Sequence, residues 1–198
     1  MSKPEAIIDT LFIGERLQSK IGDFSLSEIQ FFSYLGCLLS LYDGQTATKW
    51  NYSFIKSSLG SPYSADILNG IEILLSNESI IETDRDYYKI TEKGKSNLNF
   101  YVTLELLNWR CKYLNIACHS LSVFPYGVIK EAIINDPVVV SARSSPINKL
   151  LLDDSNPATG VLYTQFALLK IALSDQYESL MAPALVWIES LRKKNTQL

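Results

Sequence analysis

The chain has 198 residues, room for one domain or two small ones, and its 47% hydrophobic and 20% charged content is that of a protein that buries a real core. A net charge of −3 is the wrong sign for a protein whose affinity comes from neutralising phosphates. No window holds 18 consecutive apolar residues, and the start, MSKPEAIIDTLFIGERL, lacks the unbroken apolar run of a secretion signal, so neither a membrane span nor export is expected.

Residues 4–21 set Ile7, Ile8, Leu11, Phe12, Glu15 and Leu17 at helical spacing and predict a first helix, broken by Gly22 and Asp23. Phe24-Ser25-Leu26-Ser27-Glu28-Ile29 is a helix start. Ser25 can cap, Glu28 can reach back to the Ser25 amide, and Phe24 and Ile29 stand where a hydrophobic staple forms. Ile29, Phe32, Leu35, Gly36, Leu39 and Tyr42 then mark one face, and Asp43-Gly44 ends the helix. A shorter helical segment is expected from Lys49 to Leu59, carrying Trp50, Phe54, Ile55 and Leu59. Gly60-Ser61-Pro62 is a break.

Ser64 caps a third helix with Ile67, Leu68, Ile71, Leu74 and Leu75 as its buried stripe. Its outward positions are read as Asp66, Asn69, Gly70, Glu72, Ser76 and Glu78. Ile80 to Thr83 and Tyr87 to Thr91, around Asp84-Arg85-Asp86, predict a β-hairpin, and Thr91-Glu92-Lys93-Gly94 opens another helix. Three helices, a hairpin and a helix are the order of a winged helix. The fold class expected is therefore mainly α with a small β-hairpin, with an N-terminal helix over 1–23, a winged-helix domain over 24–95 and a helical region over 96–198.

In that last region Leu98, Val102, Leu106, Trp109, Tyr113 and Ile116 predict one long helix to about His119. Pro125 starts another, Val128 to Ile134. Residues 137–160 are the least regular, with a loop at Asp153-Asp154-Ser155-Asn156-Pro157. Two helices close the chain, at about 161–173 and 176–193, with Pro183 placed to kink the second.

Catalytic patterns are sparse. The single histidine, His119, adjoins Cys118, but neighbours on a helix point about 100° apart and cannot work as a dyad. One histidine and no C-x-x-C do not make a zinc site. Gly94-Lys95-Ser96 ends like a phosphate loop, yet Lys89 stands where its first glycine belongs. Asp153 and Asp154 read as a solvated loop pair. No enzyme, cofactor or metal is expected. Three cysteines, Cys37, Cys111 and Cys118, with Cys37 on an apolar helix face, fit a reduced, cytoplasmic setting.

The third helix carries the functional argument. In a helix-turn-helix it would enter the major groove, where bases and phosphates are met by Arg, Lys, Asn and Gln. From Ser57 to Asp84 there is no Lys or Arg, and residues 1–95 hold 9 Lys and Arg against 13 Asp and Glu. Arg85, Lys89, Lys93 and Lys95 can give only a weak backbone contact. Sequence-specific DNA reading is not expected. The candidate surface is for protein: Trp50, Tyr52, Asp66, Glu72, Tyr87 and Tyr88, with one of the two adjacent tyrosines facing outward because a strand alternates.

The stretches YLGCLLSLYDGQTATKWNYSF, LGSPYS, YYKITEKG, WRCKYLNIACHSL, AIINDPVVVSAR and LMAPALVWIESL together resemble the small middle subunit of bacterial ABC-three-component systems, including the Lamassu type of anti-phage and anti-plasmid defence. The resemblance implies a non-catalytic adaptor between an SMC-like ATPase and an effector, often a nuclease. The chain is also similar, more distantly, to the winged-helix partners of SMC complexes, which carry two winged domains where the second half here lacks a hairpin. The alternative is a winged-helix transcription regulator whose C-terminal helices serve dimerisation or a ligand. A small hydrolase using Cys118 or Asp153 and Asp154 is the third class.

Overall fold

Local start signals set the frame. The structure, a computed structural model that describes residues 3–173 and 179–193, places α1 at Pro4–Ile21, a short strand β1 at Phe24–Ser25 and α2 at Leu26–Tyr42. Pro4 occupies the first turn of α1, where its missing N–H breaks no helical bond. The expected capping box is present: the Ser25 hydroxyl accepts from the Glu28 amide, and the Glu28 carboxylate accepts from the Ser25 amide at 2.7 Å. From Ile29 to Tyr42 every residue of α2 is buried, so this helix lies at the centre of the molecule.

The helix expected over 49–59 does not form. A single 3-10 turn, Ala47–Trp50, ends at Asn51 in the left-handed region at φ 68°. Beyond it Trp50, Tyr52 and Phe54 are buried while Asn51 and Ser53 are exposed, which is the period of a strand. The segment runs into β2, Ile55–Lys56, paired antiparallel with β3, Pro62–Tyr63. On the other side the Lys56 amide donates to the Lys149 carbonyl at 2.8 Å and the Leu151 amide to the Phe54 carbonyl at 2.9 Å. Trp50, Phe54, Ile55 and Leu59 suit a helix by their spacing, but backbone partners remote in sequence hold the segment extended.

Next come α3 at Ala65–Ser76, β4 at Ile80–Asp84 and β5 at Tyr87–Ile90. β4 and β5 are antiparallel, with Ile80 opposite Ile90, Ile81 opposite Lys89 and Glu82 opposite Tyr88. β1 adds to the far side of β5, so the sheet order is β1-β5-β4. The chain is thus mainly helical with a small antiparallel sheet, as its patterning predicts.

α1 is no appendage to this unit. It packs along α3 and against β5. Gly70 of α3 faces α1, where a Cβ would come within 3.4 Å of the Ala6 carbonyl and the Thr10 hydroxyl. Gly70 is therefore an inward position, not an outward one: it is buried, with α1 directly against it.

After the hairpin, α4 covers Glu92–Tyr101 and α5 covers Glu105–His119. The expected long helix is interrupted by a turn at Val102-Thr103-Leu104. α6, Tyr126–Ile134, follows Pro125 as predicted, and α7, Pro137–Ser141, is capped by the Asp136 carboxylate, which accepts from the Val138 amide at 2.9 Å. α8 spans Pro157–Leu173 and α9 spans Met181–Lys193. The start expected for the last helix at 176 lies outside the described residues. Pro183 falls in the first turn of α9, where it needs no kink. One apolar core runs from Ala6 to Leu191 without a break at 23/24 or 95/96, and α5 lies against both α1 and α2. Among the described residues no helix is long and apolar enough to cross a membrane.

Candidate protein-docking surface

Trp50 and Tyr52, expected at the surface, are inside: Trp50 is 0% exposed and Tyr52 6%. They wall a box around Arg110 of α5, itself 1% exposed. The guanidinium is held in a fork by Asp9 of α1, Nε to Oδ1 at 2.9 Å and Nη2 to Oδ2 at 2.5 Å, and Nη1 donates to the Trp50 carbonyl at 2.8 Å. Its carbon lies 4.0 Å from the Trp50 ring centre, 5.3 Å from that of Tyr52 and 5.4 Å from that of Trp109. The Tyr52 hydroxyl donates to Asp9 Oδ2 at 2.6 Å and meets the Ser33 hydroxyl. A buried cation needs both a carboxylate and polarisable faces, and these aromatics supply the faces. Trp50 and Tyr52 are therefore not exposed docking residues but the walls of an internal ion pair.

The outward side of α3 is the surface that remains. Asn69, Glu72, Ile73 and Ser76 are exposed there, and no cation accompanies them. Asp66, in the first turn, is only partly exposed and lines a groove of about 360 Å³, of mixed polar and apolar lining, with Lys3, Thr48, Asn51, Leu150 and Asp153. Beside α3 stands the hairpin. Tyr87 is 47% exposed and Ile81 46%, so they and Lys89 form its outer face. Tyr88 turns inward and is half-buried, its ring 6.3 Å from that of Phe24. Burial, then the charges of Glu82 and Asp86, push its hydroxyl pKa up. The adjacent tyrosines split as strand alternation requires.

The four candidate cations are exposed, and two of them have a carboxylate within reach. Lys95 pairs with Glu92 at 2.6 Å, and Arg85 has Asp86 4.0 Å away and donates its backbone amide to Asp84. Lys89 and Lys93 stay in solvent. Residues 64–90 contain Asp66, Glu72, Glu78, Glu82, Asp84 and Asp86 against Arg85 and Lys89. The sign of this surface is acidic.

Cys118 is buried and His119 exposed, so the two diverge. Burial raises the thiol pKa of Cys37 and of Cys118, which suppresses the thiolate. Asp153 accepts from the Ser155 amide and hydroxyl, which lower its pKa, and Asp154 accepts from the Tyr163 hydroxyl at 2.7 Å. Among the described residues no three His, Cys, Asp or Glu gather as a metal site. Sequence reasoning missed the Asp9–Arg110 pair. Its one signal was a charged residue within each of two apolar helix stripes. Comparison with models of protein families, with characterised proteins and with solved structures finds no match.

Proposed function

We propose that α1 to β5 form a winged-helix unit whose reading helix is α3, and that this unit docks protein and not DNA. The order α1, β1, α2, α3, β4, β5, with a 3-10 turn and the β2–β3 pair inserted between α2 and α3, and the sheet order β1-β5-β4 support the winged-helix reading. One observation carries the docking reading: the outward side of α3 offers Glu72 and no Lys or Arg. Carboxylates brought against phosphates repel, and nothing on the helix offsets them. A basic protein face is the complementary partner, and exposed Tyr87 and Ile81 beside it supply apolar contact.

On this reading the chain is a non-catalytic adaptor subunit. The resemblance to the middle subunits of Lamassu-type systems makes an SMC-like ATPase and an effector nuclease the partners, in a bacterial anti-phage or anti-plasmid complex. The decisive experiment expresses tagged protein from its native operon. Co-purification with neighbour-encoded subunits, lost on Glu72→Lys together with Tyr87→Ala, is the expected result. Elution alone from that operon overturns the reading. Binding to its own upstream DNA, with affinity falling steeply as salt rises, would replace it with a transcription regulator.

A further inference from the structure

A pocket of about 370 Å³ lies between α8 and the end of α2. Tyr163, Phe166, Ala167 and Lys170 line it from α8, so one face of that helix turns towards it. Ala167 is the small residue of the four, and the notch it leaves lies between the longer side chains. Tyr42 of α2, with Gln45 and Thr46 beyond it, forms the other wall. The pocket shares no residue with α3 or the hairpin, so what it does is independent of the docking reading.

Two of the lining residues are charged, Asp154 and Lys170, one of each sign, and they do not pair with each other. Asp154 is set in place by its Oδ1, which accepts from the Tyr163 hydroxyl at 2.7 Å and from the Ala47 amide at 3.4 Å. Its Oδ2 accepts no hydrogen bond among the described residues. The Lys170 ammonium lies 5.1 Å over the Tyr42 ring and has no carboxylate within ion-pair distance among the described residues. Asp43, the carboxylate nearby that feels its charge, is already bridged to Lys112 at 2.7 Å. The pocket thus keeps an acceptor and a cation unpaired across an aromatic wall.

The spacing of the two charges sets the length of a ligand that meets both. Tyr163, which holds Asp154, and Lys170 are two turns apart on α8, roughly 10 Å along the axis. A free α-amino acid carries both its charges on one carbon and cannot reach both ends. A two-residue peptide places one peptide unit between them, its Cα atoms about 3.8 Å apart. Gln45 and Thr46 put an amide and a hydroxyl along the wall, which suit that peptide unit and would go unused against a plain alkyl chain. Phe166 and the notch at Ala167 suit an apolar side chain. We infer that this pocket binds a free dipeptide with apolar side chains, its amino group on Asp154 and its carboxylate on Lys170. Small pockets of this kind join an apolar wall to a few placed polar groups.

Titration calorimetry of the full chain with L-leucyl-L-leucine tests it. A ligand of that size in an open pocket is expected to bind at about 0.2 mM. N-acetylation of the peptide, amidation of its carboxylate, Asp154→Asn and Lys170→Met should each weaken binding about five- to tenfold. The pairing gives a sharper readout: Asp154→Asn should lose its effect on the acetylated peptide, and Lys170→Met on the amidated one. Ala167→Trp, at a solvent-exposed position, should fill the notch and abolish binding while the circular dichroism stays that of the wild type. Free leucine should bind at least tenfold more weakly than the dipeptide. No saturation with the dipeptide at 10 mM, about fifty times the expected constant, overturns the proposal. So does a doubly blocked dipeptide that binds as well as the free one, which would leave only non-specific apolar contact. Leucine binding as tightly as the dipeptide, or binding unchanged in Ala167→Trp, would overturn it as well.

Discussion

Arg110 shows how one residue redirects several others. Its fork with Asp9 joins α5 to α1, and its bond to the Trp50 carbonyl fixes the segment leading to β2. Removing either charge leaves the other buried without its partner, so Asp9→Asn and Arg110→Met should each cost about 3–5 kcal/mol in urea unfolding. The double variant should cost clearly less than the sum, because it leaves no orphaned charge. Simple additivity would show that the two do not act as a pair. A second residue gives a pH signature. Asp43 is partly buried, which alone would raise its pKa, but bonds from Lys112 Nζ at 2.7 Å and the Tyr113 hydroxyl at 2.6 Å hold it below the ordinary value. A depressed carboxylate stabilises the fold above its unfolded pKa and loses that contribution as pH falls through the folded one. The stability gap between wild type and Asp43→Asn should therefore shrink as pH drops below about 4, modestly, since the pair is half in solvent. Ser25 and Glu28 were legible because they act across one helical turn. Asp9 and Arg110 were not, because nothing local joins them.

The contrast at the element scale is between termini and interiors. Helix starts at Pro4, Ser25, Thr91 and Pro125 are marked in the sequence, since a capping hydrogen bond at Ser25 and Thr91 and the fixed φ of proline at Pro4 and Pro125 act over one turn. The 50–54 segment is not, because its backbone partners at 149–151 are remote. The turn into α4 is a case where position and identity agree. Thr91 donates its amide and hydroxyl to the Ser79 carbonyl, and its hydroxyl accepts from Gly94. A Cβ on Gly94 would lie 2.1 Å from that carbonyl. Gly94→Ala should therefore displace the hairpin from α4 and cost about 2 kcal/mol, read as a lower thermal midpoint. An unchanged midpoint would mean that the two backbones separate freely.

For the whole molecule, the continuous core is the governing fact. α5 follows the hairpin in sequence, yet it closes the box on Trp50 and packs on α1 and α2. A fragment of residues 1–95 would expose the faces of both helices and leave Asp9 without Arg110. It should be largely unfolded by circular dichroism, and the full chain should unfold in one transition with the same midpoint by fluorescence and circular dichroism. Two separated transitions would show that 1–95 folds alone.

The sequence by itself determined the helical class, the hairpin, most helix starts and the acidic character of α3, because periodicity, capping and charge are properties of neighbours along the chain. Tertiary structure alone decided that Trp50 and Tyr52 lie inside, that Gly70 faces α1, and that Lys170 of α8 lies over Tyr42 of α2. Each of these depends on which remote surface arrives to cover a residue, and no local pattern of side chains specifies that.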